Sequence, residues 1–94
     1  MAQSIEYEWD EAKRRANLER HRVDFALVEA FDWSTAFTAD QSVGGERRHV
    51  STSFIGARLY VLVWTKRNGR TRVISLRKAN GRERDAYEEA TRPS

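Results

Sequence analysis

Apolar and polar residues alternate along residues 47–54, and a two-residue period predicts a β-strand with one buried face. A second strand-like run precedes Asn68-Gly69 and a third follows it. Asn-Gly is typical of a two-residue hairpin turn, because both turn residues need a positive φ. Gly56-Ala57 can form another two-residue turn between the first two runs. The pattern therefore predicts three successive antiparallel strands.

The turn lengths fix the register, and the register decides which side chains share a face. One turn predicts Phe54 opposite Leu59, Val50 opposite Val63 and His49 opposite Trp64. The other predicts the pairs Arg67–Arg70, Trp64–Val73, Leu62–Ser75 and Tyr60–Arg77. The predicted core is Val50, Phe54, Val61, Val63, Ile74 and Leu76, packed on Phe25, Val28 and Phe31. The predicted open face carries Arg47, His49, Ser51, Ser53, Tyr60, Trp64, Lys66, Thr71, Ser75 and Arg77.

Helix signals lie before and after these strands. Asp10 is a good N-cap for a helix over residues 11–21, which are rich in Ala, Arg, Glu and Leu. Asp24 is placed to cap a second short helix over residues 25–31. Asn80 and Glu83 have the spacing of a capping box at the start of a last helix.

The segment between the second helix and the alternating strands is less regular. Residues 35–38 are predicted as a first strand and residues 40–45 as a loop. The chain is therefore predicted to form a single α+β domain over residues 1–94. Its expected architecture is two N-terminal helices, a four-stranded antiparallel sheet and a C-terminal helix.

Composition narrows the class of protein. Hydrophobic residues make up 39% of the chain and include three Trp, four Phe and three Tyr, which favours a folded core over disorder. The chain has no Cys, and its two His lack the spacing of metal ligands. We therefore expect no metal site and no cofactor. The longest apolar run, residues 59–64, is too short to span a membrane, and residues 1–10 do not resemble a signal peptide. A cytoplasmic location is expected.

The positive charge is unevenly distributed. The formal net charge is +3, and residues 66–84 combine many Lys and Arg with Glu83 as the only acid. A solvated helix surface explains part of this excess. A polyanionic partner is the functional interpretation, because phosphate contacts supply most sequence-independent affinity for nucleic acids.

The available side chains limit the chemistry. No Gly-rich phosphate loop, nucleophile elbow or metal motif is present, which leaves His, Arg, Lys and Tyr. These are sufficient for metal-independent RNA cleavage, because His exchanges protons near neutral pH and fixed cations stabilise the charge that develops on phosphorus. Aromatic rings can stack an unpaired base.

Several side chains are candidates for these roles. His49 lies on the predicted basic face, whereas His21 ends a helix, where it can simply interact with the helix dipole. Arg77 beside Tyr60 is a candidate anion clamp, and a salt bridge to Glu83 is the alternative interpretation. By the residue pattern alone, His49 is the better candidate for proton transfer, and a half-exposed polar residue without a catalytic role is the alternative interpretation.

Three ordered blocks of residues resemble the BrnT family of toxins. They are Tyr7-Glu8-Trp9-Asp10 with Lys13, Asn17, Arg20-His21, Val23 and Phe25; Glu46-Arg47-Arg48; and Arg72 to Ala79 with Arg82-Glu83-Arg84 and Tyr87-Glu88. The resemblance covers residues 6–89. Arg20 and Arg22 stand where the family usually has Lys and Gly, and His49 stands where it more often has a large aromatic residue. The resemblance therefore favours His21, Arg77 and Lys78 over His49.

The resemblance implies a RelE-like fold and a ribonuclease toxin that shuts down translation. It also implies a cognate BrnA-like antitoxin with a ribbon-helix-helix domain, expected in a two-plus-two assembly. The leading hypothesis is a metal-independent endoribonuclease. The catalytic candidates are His21, His49, Arg77 and Lys78, and the RNA-binding candidates are Arg47, Tyr60, Trp64, Lys66 and Arg72. The alternative hypothesis is a non-catalytic basic module that binds an acidic protein or a nucleic acid.

Overall fold

The computed structural model describes residues 4–93. In chain order, the elements are β1 (Tyr7–Glu8), α1 (Glu11–His21), two 3₁₀ helices (Phe25–Ala30 and Trp33–Thr35), β2 (Phe37–Val43), β3 (Glu46–Ile55), β4 (Arg58–Arg67), β5 (Arg70–Lys78) and α2 (Gly81–Thr91). The α+β class is confirmed.

One sheet of five strands, in the order β1-β5-β4-β3-β2, forms the centre of the fold. β2 to β5 are antiparallel neighbours, and β1 pairs with β5 in parallel through Tyr7–Thr71 and Glu8–Arg72. The predicted four-stranded antiparallel sheet is therefore wrong. A strand of two residues has no periodicity of its own, so only its pairing with β5 defines it.

The first helix begins as predicted, since the Asp10 carboxylate accepts the Ala12 N–H at 2.8 Å. It ends at Arg22, which has a φ of 60° and whose N–H bonds to the Leu18 carbonyl. The second predicted α-helix is wrong, although Asp24 does cap the segment. Residues Phe25–Ala30 form a 3₁₀ helix, because Phe25 and Val28 are both turned into the core.

The predicted loop over residues 40–45 is also wrong. β2 runs through this segment, and the turn is confined to Gly44 and Gly45, with φ values of 60° and 82°. The polar composition of Asp40 to Ser42 is that of a loop, but these residues pair along β3 at the edge of the sheet. Pairing with β3 has therefore overridden local composition.

The register of β3 with β4 is confirmed, including Phe54–Leu59, Val50–Val63 and His49–Trp64. In the next hairpin, Arg67–Arg70 and Trp64–Val73 are also confirmed. A β-bulge then shifts the pairing, so that Val63 faces Ser75, Leu62 faces Leu76, Val61 faces Arg77 and Tyr60 faces Lys78. The predicted pairs Leu62–Ser75 and Tyr60–Arg77 are wrong, because Ile74 is the extra residue of this bulge.

The sheet is covered on both faces. The face that we call the 3₁₀ face packs Tyr60, Leu62, Val73 and Leu76 against residues 23–31. The opposite face, the α2 face, packs Leu59, Val61 and Ala79 against Tyr87, the buried residue of α2, with Val50 beside them.

The single predicted core is therefore wrong. Leu76 joins Phe25, Val28 and Phe31 as expected, whereas Val61 is buried on the other side of the sheet. Val50, Val63 and Ile74 are half-buried, and Phe54 is exposed. The predicted open face is also wrong, because residues 23–36 cover part of it and bury Ser51, Ser53 and Tyr60, and Thr71, which pairs with β1, is buried as well.

The last helix begins with the predicted capping box. The Asn80 side chain accepts the Glu83 N–H at 2.8 Å, and the Glu83 carboxylate accepts the Asn80 N–H at 2.9 Å. The Tyr87 hydroxyl donates to the Thr35 carbonyl at 2.7 Å and joins α2 to the segment before β2. Within residues 4–93, no helix has the length and apolar character needed to cross a membrane.

Candidate active site between α1 and β5

Asn17 holds α1 along the edge of β5. Beyond its short pairing with β1, β5 has an open edge, where Leu76 presents both its N–H and its carbonyl. The Asn17 amide donates to the Leu76 carbonyl at 2.7 Å and accepts the Leu76 N–H at 3.3 Å. It also donates to the Val23 carbonyl at 3.0 Å. The Asn17 side chain thus makes the two backbone hydrogen bonds that a neighbouring strand would make with Leu76, and it fixes the position of the helix.

A pocket of about 170 Å³ lies between this helix and the strand. Its wall on α1 carries Lys13, Arg20 and His21, one helical turn on either side of Asn17. Its floor is Ile74 and Ser75, at the bulge of β5. None of the three basic side chains has a carboxylate within salt-bridge distance among residues 4–93. The pocket therefore suits an anionic group.

Arg77 does not line this pocket, but it lies on the strand that forms the pocket floor. It is two residues beyond Ser75, and the register places both side chains on the α2 face. Its guanidinium donates to the two Glu83 oxygens at 2.7 and 2.6 Å. The hydrogen bond from Arg77 is the main reason why the pKa of Glu83 lies below its usual value, and the same bond raises the pKa of Arg77. This pair fixes the orientation of Arg77.

Arg72 also belongs to the α2 face, where it stands opposite Thr65. Its guanidinium donates to the Glu8 carboxylate at 2.9 Å, which joins β5 to β1. The α2 face of β5 therefore presents Arg72, Ser75 and Arg77, and both arginines are held in place by a glutamate.

A second cluster lies on the 3₁₀ face, beyond the cover of the 3₁₀ helices. His49 Nδ1 is 2.7 Å from an Asp40 oxygen, and the imidazole lies 4.4 Å from the Trp64 ring. The Trp64 indole N–H donates to Ser51 at 2.8 Å, and the Lys66 ammonium lies 6.0 Å from the Trp64 ring. Arg47 precedes His49 on the same face and is exposed.

The structure therefore divides the predicted site. It brings Arg47, His49, Trp64 and Lys66 together on one face and places Arg72 and Arg77 on the other, with His21 at the edge. Tyr60 is 9% exposed and lies in the core, which leaves its ring no open face for a base. Lys78 is exposed and stands opposite Tyr60, on the other side of β5 from Arg77.

Lys13, Arg20 and Ser75 supply the other polar groups of the pocket besides His21 and Asn17, and none of the three is among the predicted site residues. The spacing of Lys13, Asn17 and His21 by four gave a usable signal, because it places them on one side of a helix. Ser75 belongs to the predicted open face and to the third block of the family resemblance, but no local pattern places it in this pocket, because it reaches the pocket through the bulge. Asp40, the partner of His49, was missed because its segment was predicted as a loop.

The pocket combines the His21 imidazole with two cations and a hydroxyl. Such a set can bind a phosphodiester and exchange protons with it. Among residues 4–93, no three His, Asp or Glu side chains are grouped as metal ligands.

Comparisons with known proteins show the family of the chain. Residues 9–83 match the family model described as the ribonuclease toxin BrnT of type II toxin–antitoxin systems. The crystal structure of the Brucella abortus ribonuclease toxin BrnT is similar, with a TM-score of 0.67 and 25% sequence identity over 81% of this chain and 97% of that one. A comparison with curated proteins gave no match. Since the family model covers most of the chain, this protein belongs to the BrnT family of type II ribonuclease toxins.

Proposed function

We propose that the chain is a metal-independent endoribonuclease that arrests translation by cleaving RNA, and that the pocket between α1 and β5 is its active site. One observation carries this proposal. His21 shares the pocket with Lys13 and Arg20, and among the described residues no carboxylate competes for these cations. Membership of a ribonuclease toxin family supports RNA as the substrate.

In the proposed reaction, the 2′-oxygen of RNA attacks the adjacent phosphorus and the bond to the 5′-oxygen breaks. The products are a 2′,3′-cyclic phosphate and a 5′-hydroxyl. His21 takes the proton of the 2′-OH, and the leaving 5′-oxygen receives a proton from the resulting imidazolium or from water. Lys13 and Arg20 hold the phosphate, and Arg77 stabilises the additional negative charge of the pentacoordinate phosphorus. No metal ion is required by these steps.

The cluster on the 3₁₀ face is assigned to binding. Arg47 and Lys66 contact the RNA backbone, and Trp64 stacks with a base at its exposed edge. The Asp40 carboxylate orients His49 beside this ring. Arg72 and Lys78 add positive charge on the two faces of β5, Arg72 on the α2 face and Lys78 on the 3₁₀ face. Because the Asp40 carboxylate can hold the imidazole in place for proton transfer, His49 is the competing candidate for that role.

The two histidines provide a matched test. His21→Gln and His49→Gln each remove an imidazole and keep a polar side chain of similar size. We expect His21→Gln to lower the rate of RNA cleavage by at least about 100-fold, and His49→Gln to change affinity more than rate. Wild-type cleavage must also persist in EDTA. A normal rate in His21→Gln, or loss of all cleavage in EDTA, would contradict the proposal.

Expression in a bacterium separates the enzyme from a binding module. Induction of the wild-type chain should stop growth and produce discrete RNA fragments, while His21→Gln should do neither. Growth arrest with intact RNA would instead indicate a toxin that acts by binding.

The proposed partner is a BrnA-like antitoxin with a ribbon-helix-helix domain. Because such domains are obligate dimers, two toxins are expected to join one antitoxin dimer and leave the DNA-binding arms free. Size-exclusion chromatography with light scattering on the co-expressed pair measures this stoichiometry. A stable one-to-one complex, or sequence-specific DNA binding by this chain alone, would overturn the assembly.

A further inference from the structure

β2 is an edge strand with an open side. It is the last strand of the sheet, and in the described part of the chain no backbone hydrogen bond joins its outer side to another segment. Its seven residues contain no Pro and no Lys or Arg, and Asp40 is its one charged residue. Strands of this kind add a further strand readily unless something blocks them.

The pairing pattern identifies the outward backbone groups. Val43 and Glu46 flank the two-residue turn of Gly44 and Gly45, so they form a hydrogen-bonded pair. Hydrogen bonding alternates along an antiparallel strand, and the N–H groups of Ala39 and Gln41 therefore also point towards β3. The N–H and carbonyl groups of Thr38, Asp40 and Ser42 point outwards.

An apolar groove continues from this edge onto the α2 face. Phe37, which is 45% exposed, and Ala39 form its side on β2. Val50, Val61 and Tyr87 continue it towards α2, and its volume is about 170 Å³. Among the residues that the structure describes, the one charged residue of its lining is Glu83, whose carboxylate is already paired with Arg77. A strand added to β2 would place alternate side chains beside Phe37 and Ala39 and cover this groove.

Charge on the same face favours an acidic occupant. Arg48 on β3 stands opposite Gln41. Its one salt bridge within residues 4–93 is a 3.6 Å contact with Glu46, and its Nε has no hydrogen-bond partner there. A carboxylate on an added strand, beside Gln41, would be close enough to pair with the exposed end of this guanidinium.

A second copy of the chain fits this edge poorly. The outward groups are centred on Asp40, so antiparallel pairing of two copies over their full length places Asp40 opposite Asp40. Like charges in directly opposed positions destabilise a sheet, and each copy also carries a net charge of +3.

We infer that β2 accepts an extended segment of the cognate antitoxin as a sixth strand, with apolar side chains over Phe37 and Ala39 and an acidic side chain near Arg48. This inference rests on the proposed function, because it needs an antitoxin. The docking edge lies at the opposite end of the sheet from β5 and its pocket. Changes at β2 therefore weaken antitoxin binding and leave RNA cleavage by the free toxin intact.

Amide hydrogen exchange, followed by NMR on the labelled wild-type toxin with and without antitoxin, directly tests the alternation of inward and outward N–H groups along β2. In the complex, the amides of Thr38, Asp40 and Ser42 should exchange at least about tenfold more slowly, because each gains a protein acceptor. Ala39 and Gln41 are already bonded to β3 and serve as the internal control. Unchanged exchange of the three outward amides in a saturated complex would overturn the inference.

A backbone variant gives an independent result. Ser42→Pro removes one outward N–H and spares the bonds to β3, whereas Ser42→Ala keeps the N–H. We expect the first to bind antitoxin about tenfold more weakly and the second to bind like wild type. Equal affinities of the two would contradict strand addition.

Two further pairs of test and control variants probe the same edge and do not depend on whether Ser42→Pro folds. Phe37→Ala should weaken antitoxin binding, whereas Leu27→Ala, which removes a similarly exposed apolar side chain (42% exposed) from the first 3₁₀ helix, should not. Arg48→Ala should weaken antitoxin binding more than Arg15→Ala, which removes an arginine from α1. RNA cleavage by each free variant is measured in parallel. If the wild-type chain cleaves no RNA but the β2 variants weaken antitoxin binding as expected, the ribonuclease proposal is rejected and the proposed docking at β2 is retained.

Discussion

The Asn17 side chain satisfies both backbone polar groups of Leu76, as donor at 2.7 Å and as acceptor at 3.3 Å. Asn17 and Leu76 are 7% and 0% exposed, so water does not replace these bonds. An asparagine in the middle of a helix is locally unfavourable, and here its contacts with another element explain its presence. The same contact creates one wall of the proposed active site.

Asn17→Ala should therefore destabilise the fold. It leaves the Leu76 N–H and carbonyl without partners in a buried position, and each such group costs about 1–3 kcal/mol. We expect the free energy of unfolding to fall by at least about 2 kcal/mol in urea denaturation. Glu19→Ala, at an exposed position of the same helix, is the control and should change it by less than about 0.5 kcal/mol. Similar stabilities of the two variants would show that the Asn17 bonds contribute little.

Arg77→Ala should lower the rate of RNA cleavage by at least about 100-fold, because it removes the cation assigned to the developing phosphoryl charge. At neutral pH the melting temperature should fall only by about as much as in Glu83→Gln, which loses the same ion pair, since the freed Glu83 carboxylate is partly exposed and still accepts the Asn80 N–H. Arg77→Lys should rescue poorly, because an ammonium cannot reproduce the two parallel bonds to Glu83. Arg82→Ala on α2 is the control. Cleavage at the wild-type rate in Arg77→Ala would remove this residue from the mechanism.

The Arg77–Glu83 pair should make stability depend on pH. The pKa of Glu83 is lower in the folded state than in the unfolded chain, because Arg77 donates to its carboxylate. The pair therefore contributes its full stabilisation above the unfolded pKa and loses it as the pH falls through the folded pKa. Melting temperatures of wild type and Glu83→Gln should differ most near neutral pH and converge in acid. Glu88→Gln is the control, and a gap that is constant with pH would contradict this assignment.

The basic cluster on the 3₁₀ face should govern affinity for RNA. Arg47→Ala and Lys66→Ala should each weaken the binding of a single-stranded RNA and reduce the slope of log K against log salt by about 0.7. Arg15→Ala removes a charge of the same sign from α1 and should leave the slope unchanged. Binding titrations at several salt concentrations measure both quantities. An unaltered slope in both cluster variants would exclude phosphate contacts at this face.

Local signals in the sequence were sufficient for several elements. Asp10, Asp24 and Asn80 cap the segments that they were predicted to cap, because a cap needs only a side chain and the backbone N–H groups that follow it. The hairpin turns at Gly56 and Asn68-Gly69 were predicted for the same reason: their positive φ values are a property of two residues. The strand pairing next to each turn could be predicted as well, because the length of a turn fixes the register of the residues beside it.

The bulge at Ile74 depends on tertiary structure alone, and it sets which side chains of β5 lie together on each face of the sheet. One extra residue in β5 moves Ser75 and Arg77 to the α2 face and takes them away from His49 and Trp64. Nothing in the local pattern requires this residue, because its place depends on how β5 packs between β4 and α1. The burial of Ser51, Ser53 and Tyr60 likewise depends on residues 23–36, which are distant in the sequence. The sequence alone determined caps, turns and family. The grouping of His21 with Ser75 in one pocket, and the placement of Arg77 on the same face of β5 as Ser75, arose from contacts between elements that no local pattern encodes.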